Sequence, residues 1–184
     1  GGLFGESYWY ERTKVWENKR LLTFVPQEDV DARARRRLLA AGDDDFNHIS
    51  ISKSANELAK RGVRVNMGAH GQREGLGAHW EMWMLEQGGM KPLDVLKAAT
   101  IGGGSYLGLD KDIGSIEVGK LADIIVLDGN PLADIRETEK VRLTMLNGRL
   151  YDAATMDQIL PTPIEREVAK VQNAGQERQE NDRS

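Results

Sequence analysis

The order of apolar and polar residues divides the chain into a helix-forming first part and a strand-forming second part. Asp29 or Asp31 is placed to cap a helix running to about Ala41, where Gly42 can end it. Ala55, Leu58 and Ala59 have helical spacing within Ser52–Arg61, and Gly62 follows where a C-terminal cap belongs. Val63, Val65 and Met67 then alternate with polar residues, which predicts a strand over Val63–Met67. Helix, glycine and short apolar strand make the last half of an α/β unit. A glycine-rich loop, Gly68 to Gly77, leads into a helix from about His79 to Gln87, stopped by Gly88-Gly89. The next helix opens at Pro92, suited to a first turn, and runs to about Thr100. Gly102-Gly103-Gly104 is expected to break it, with a short turn through Tyr106 and Leu107.

Beyond Asp110 the period shortens to that of strands. Gly114 to Asp128 reads as two short strands, Ser115–Glu117 and Asp123–Leu127, around a tight turn at Gly119. Val141–Leu146 and Arg149–Tyr151 flank Asn147-Gly148, a strong hairpin signal. The first thirty residues lack a clear period. They carry Tyr8-Trp9-Tyr10 and Trp16 among loosening glycines, and Pro26 interrupts them, so an irregular connection with buried aromatics is expected. Pro163–Gln172 can make a short helix, and 173–184 has no core-forming residues and is expected to be disordered.

Composition narrows the class without naming a chemistry. With 184 residues, 40% hydrophobic and 29% charged, the chain can hold one globular domain or parts of two. A net charge of −4 gives no reason to expect nucleic acid, and Arg33, Arg35, Arg36 and Arg37 read as a solvated helix face. No cysteine is present, which excludes disulfides and thiolate metal sites. No apolar run approaches the ~20 residues of a membrane span. The compartment stays open, cytoplasmic or exported, since the chain begins at Gly1-Gly2 with no Met and any targeting segment could lie upstream.

Metal or acid–base chemistry reduces to His48, His70 and His79, the three histidines. His48, amid Asp43–Asp45 and Asn47, reads as a surface residue. His79 and Glu81 are two apart on a helix, do not share a face, and are assigned to capping and packing. Asp123 and Asp128 flank a strand and read as turn and strand-end residues. Gly68-x-x-Gly71 lacks the Lys-Ser/Thr ending of a phosphate loop.

Gly114-Ser115-Ile116-Glu117-Val118-Gly119-Lys120-Leu121-Ala122-Asp123-Ile124-Ile125-Val126-Leu127-Asp128 closely resembles the C-terminal signature of the amidohydrolase superfamily. Lys91-Pro92-Leu93-Asp94-Val95-Leu96-Lys97-Ala98-Ala99-Thr100 resembles a helix of that superfamily, and Tyr106-Leu107-Gly108-Leu109 resembles the sequel of that helix. The stretch Gly68 to Gly71 with Leu76 to Trp83 is similar to a subgroup fused behind Tol-type propeller repeats. The resemblance covers Gly62 to about Asp152. It implies an α/β chain: the C-terminal part of a (β/α)8 TIM-like barrel over 1–110, strands of a small β-sandwich over 111–155, and a tail over 156–184. A complete barrel takes about 250 residues, so the upstream barrel half is missing from this reading.

What the resemblance implies for chemistry is hydrolysis of C–N bonds in small molecules with a divalent metal, zinc foremost. Metal-bound water ionises near pKa ~7. His70 falls where the family's final strand usually ends in a metal-binding, proton-shuttling Asp, and it is assigned to ligation and proton transfer. The family's His-x-His pair is absent, and no histidine precedes His48. One ligand cannot hold zinc, which takes about three or four, so the chain alone is expected to be inactive. The rival is a non-catalytic module derived from the same fold. An incomplete barrel exposes apolar edges, from which self-association is expected.

Overall fold

The computed structural model describes residues 2–37, 41–69 and 73–166, with side chains from residue 5. The helical part comprises α1 (Gly2–Thr13), α2 (Lys19–Phe24), α3 (Gln27–Arg37), α4 (His48–Lys60), α5 (Leu76–Gln87), α6 (Pro92–Ala99) and α7 (Ile101–Tyr106). An antiparallel sheet follows: β1 (Ile124–Leu127), β2 (Val141–Leu146), β3 (Arg149–Asp152) and β4 (Gln158–Leu160), paired in chain order. Among the described residues no helix is long and apolar enough to cross a membrane.

Residues 2–30 are largely helical, contrary to the irregular connection expected. Glycines at the start weaken a helix by roughly 1 kcal/mol each, but α1 and α5 together bury Trp9, Tyr10, Trp80 and Trp83 almost completely. Trp9 meets Trp83 at 5.0 Å and Tyr10 meets Trp80 at 5.2 Å, both edge-on. Each such ring removes ~150–250 Å² from water, which outweighs the glycine penalty. Asn18 caps α2, its side-chain oxygen accepting from the Leu21 N–H at 3.0 Å. α3 starts at Gln27, ahead of the predicted caps, because the Pro26 carbonyl accepts from Asp29 and Val30. The predicted end at Ala41 is not reached within the described residues, since 38–40 lie outside them.

α4 starts four residues before Ser52 and buries His48, Ser52 and Asn56, a polar stripe, instead of Leu58 and Ile51, which are exposed. The partner explains this inversion. Ser52 lies against Gly88, and Asn56 Nδ2 donates to the Gly88 carbonyl at 3.1 Å. Val63–Met67 is extended but joins no ladder, which corrects the predicted strand. A parallel strand needs flanking strands to take its backbone bonds, and none lies beside it among the described residues; Met67 N–H instead donates to the Ala98 carbonyl at 3.1 Å.

Gly102 to Gly104 do not end the helical region but form α7, and the break falls at Thr100 (φ −129°, ψ −100°). Close contact explains the glycines: a Cβ on Gly102 would sit 2.6 Å from Asn66 Oδ1, and one on Gly104 would sit 3.3 Å from the Ile113 carbonyl oxygen. In the signature run only Ile124–Leu127 becomes a strand. Gly114 and Gly119 take φ of +90° and +96°. The first predicted strand, Ser115–Glu117, is irregular and leads into a turn closed by Lys120 N–H donating to the Glu117 carbonyl, while Leu121 N–H donates to the Asp112 carbonyl across the base of the loop. Val141–Leu146 and the Asn147-Gly148 turn form as predicted, both turn residues having positive φ. β4 was not foreseen, and Ile164 bridges Gln158 where a helix from Pro163 was expected. The disorder expected over 173–184 lies outside the described residues.

Candidate functional site

The loop between the extended Val63–Met67 segment and α5 is held at both described ends. Gly68 N–H donates to Glu81 Oε2 at 3.1 Å. At the far end the Arg73 side chain is fully buried, and its Nε donates to Tyr10 Oη at 2.8 Å. Arg73 also pairs with Glu74, whose carboxylate receives Arg33 at 3.0 Å. The Glu74 backbone N–H, with Arg33 beside it, holds that carboxyl below its ordinary value. His70, the residue assigned to metal ligation and proton transfer, lies outside the described residues, as do Gly71 and Gln72.

The two described histidines point elsewhere. His48 is buried, not on the surface as expected. Its Nε2 lies 3.1 Å from Gln87 Oε1, Gln87 Nε2 donates to Tyr8 Oη at 3.3 Å, and its Nδ1 has no hydrogen-bond partner. Burial pushes its pKa down. The surface reading failed because the acidic run beside it turns outward as a 3-10 turn at Asp43–Asp45, while the next residue inward, Phe46, packs with His48 on Tyr8.

His79 lies one helical turn before Trp83, on the same face of α5. Trp83 Nε1 donates to the Ile135 carbonyl at 3.2 Å and to Thr138 Oγ1 at 3.1 Å, which seats the 3-10 turn Ile135–Glu139 on α5. Burial and the nearby Arg20 guanidinium push His79 down to about 4. Glu139 shifts the other way, raised by its burial. The packing role expected of His79 thus comes with a titration that spacing could not foretell, since the burial and Arg20 both come from other elements.

This titration gives stability a defined pH dependence. A histidine kept neutral in the fold costs nothing above pH 6.5, where the unfolded chain is neutral too. Below that the unfolded chain binds the proton and the fold resists it, so stability falls until the folded value near 4. The expected loss between those limits is about 3 kcal/mol, with His48 acting in the same direction. Glu6 and Glu139, raised by burial, oppose it at the acid end. Urea midpoints against pH for the protein and for His79→Gln isolate the term; equal slopes would remove it.

The basic cluster is only partly a solvated face: Arg37 pairs with the buried Glu6 at 2.8 Å. Glu6 and Arg73 were not singled out in the sequence, where an acidic residue in a weak helix and an arginine among glycines carry no period. Asp123 and Asp128 are strand-end residues, as expected: Asp123 accepts from Asn147 N–H at 2.7 Å and Asp128 pairs with Arg142 at 3.5 Å. Among the described residues no three His, Cys, Asp or Glu side chains converge to hold a metal ion.

The model of the amidohydrolase family matches residues 39–151 of this sequence, more than half of its length. The chain belongs to the amidohydrolase family. Ochratoxinase of Aspergillus niger is 33% identical over 103 residues, covering 54% of this chain and 22% of that protein. Imidazolonepropionase of Symbiobacterium thermophilum is 46% identical over 39 residues, 21% of this chain and 9% of its relative. Among solved structures, a Xaa-Pro dipeptidase with methionine bound in its active site superposes with a TM-score of 0.54 at 24% identity, over 82% of this chain and 33% of that one. The chain therefore spans a minor part of these relatives. Amidohydrolase membership implies a TIM-barrel-type fold and chemistry that is hydrolytic at the level of the family, which generally employs divalent metals.

Proposed function

We propose that the chain is the C-terminal portion of a metal-dependent amidohydrolase that hydrolyses an amide-like or cyclic-amide C–N bond in a small molecule. The family match over 39–151 carries this reading, because it spans the whole Gly68–Gly77 loop. In it, 1–110 supply the last barrel units, 111–155 strands of a β-sandwich and 156–184 a tail. His70 is the group assigned to ligating a divalent metal, zinc foremost, and to taking a proton. Its loop is suited to that work, since Glu81 and Tyr10 tether its two ends to helices.

The described residues do not by themselves fit a metal. His48 is bound to Gln87 and His79 lies near a guanidinium, so the remaining ligands are assigned to sequence outside this chain. The purified 184-residue chain is accordingly expected to carry well under one zinc per chain by elemental analysis and to show no metal-dependent hydrolysis. Hydrolysis by that chain would overturn its assignment as an incomplete site. With upstream sequence joined, zinc should appear and be lost in His70→Ala. Zinc retained by that variant would remove His70 from the metal site, and no zinc at all would favour a non-catalytic module.

A further inference from the structure

A cleft of about 770 Å³ opens between α2, the start of α5, the Ile135–Glu139 turn and β2. That volume lies within the ~300–1,000 Å³ of small-molecule sites. Phe24, Leu76, Val141 and Met156 give it an apolar wall, and Arg20 and His79 stand along it. Its lining carries three cations, Arg20, Arg136 and Lys140, and three carboxylates, Glu74, Glu137 and Glu139, but two of the carboxylates are already paired, one of them by an arginine outside the cleft. Glu137 is neutralised by Lys140 at 2.8 Å, and Glu74 by Arg33 at 3.0 Å. Arg136 lies over the Trp9 ring at 5.2 Å. Arg20 forms no ion pair among the described residues, although its field reaches both His79 and Glu139. Two guanidiniums therefore face one unpaired carboxyl, Glu139, which burial makes harder to ionise. His79 is neutral at pH 7 and adds no charge.

We propose that this cleft binds a small carboxylic acid with an apolar body, its carboxylate against Arg20 and its body along Phe24, Leu76 and Met156. An alkyl tail gains from the apolar wall, while the carboxylate supplies the charge that the cleft lacks. A guanidinium fork is the group best shaped to take it. An amine of the same length would meet Arg20 and Arg136 and be repelled. The proposal rests neither on His70 nor on a metal, so either reading can fail without the other.

The test uses hexanoate, hexylamine and hexanol with the 184-residue chain, following the Met156 methyl and His79 ring resonances by NMR. Hexanoate is expected to shift both saturably, hexanol to bind at least tenfold more weakly, and hexylamine not to bind. Arg20 is exposed, so Arg20→Gln should fold. It is expected to weaken hexanoate about tenfold, leaving the buried Trp resonances in place, and Arg20→Lys should recover part of the loss. Equal binding of the three probes would reduce the cleft to an apolar groove and overturn the proposal. So would unchanged hexanoate affinity in Arg20→Gln, or no saturable shift in the unaltered chain.

Discussion

Trp83→Ala is expected to cost about 3–5 kcal/mol, enough to unfold a large fraction of a marginally stable domain. The side chain is buried, meets Trp9 at 5.0 Å, and its indole N–H serves both the Ile135 carbonyl and Thr138. Truncation opens a cavity in the centre of the core, leaves the Ile135 carbonyl with the Thr138 hydroxyl as its remaining donor, and takes from the buried Thr138 oxygen the indole N–H it accepted. Trp83→Phe separates the two parts: it keeps most of the ring and loses only the N–H, for about 1–2 kcal/mol. Urea denaturation followed by circular dichroism reads both. If the two variants lost the same stability, the hydrogen bonds and not the packing would seat the Ile135–Glu139 turn.

Gly88→Ala should cost about 3 kcal/mol through the opposite fault, overfilling. A Cβ there would lie 2.3 Å from the Ser52 carbonyl carbon and 2.4 Å from its oxygen, and backbone cannot rotate away as a side-chain tip can. α4 and α5 would have to separate, stretching the Asn56 bond to Gly88 and the His48 bond to Gln87. Gly5→Ala is the control. The nearest atom to its added Cβ is the Met84 sulfur at 2.3 Å, the end of a flexible chain, so less than half the loss is expected. Comparable thermal shifts for the two variants would show that α4 can give way.

The family was legible in the sequence because its signature segments are local. Gly119 needs a positive φ, Asn147-Gly148 closes a two-residue hairpin and Pro92 starts a helix, each decided by the chain within a few residues of itself. The α4 face and the helical path through Gly102–Gly104 were misread for a shared reason. Apolar spacing predicts an apolar contact, yet α4 meets the backbone of Gly88, which asks for small and hydrogen-bonding residues. Three glycines weaken a helix by their own propensity, but here they admit Asn66 and Ile113 against the backbone.

The candidate site divides in the same way. His70 was reached by its place in a motif, since a loop histidine between glycines carries no periodic signal. The tethers beside it, Glu81 to Gly68 and Arg73 to Tyr10, span 13 and 63 positions and have no trace in spacing. The same holds for His79, whose depressed titration comes first from burial and then from Arg20, 59 positions away. By itself the sequence determined the family, the Val141–Tyr151 hairpin and the absence of thiolate chemistry, because these rest on local backbone preference and residue identity. Only the tertiary structure decided which face of α4 is buried, that Val63–Met67 stays unpaired, and which histidines are neutral. Burial and long-range charge depend on what packs against a residue, and neighbours distant in the chain are not written in its local pattern.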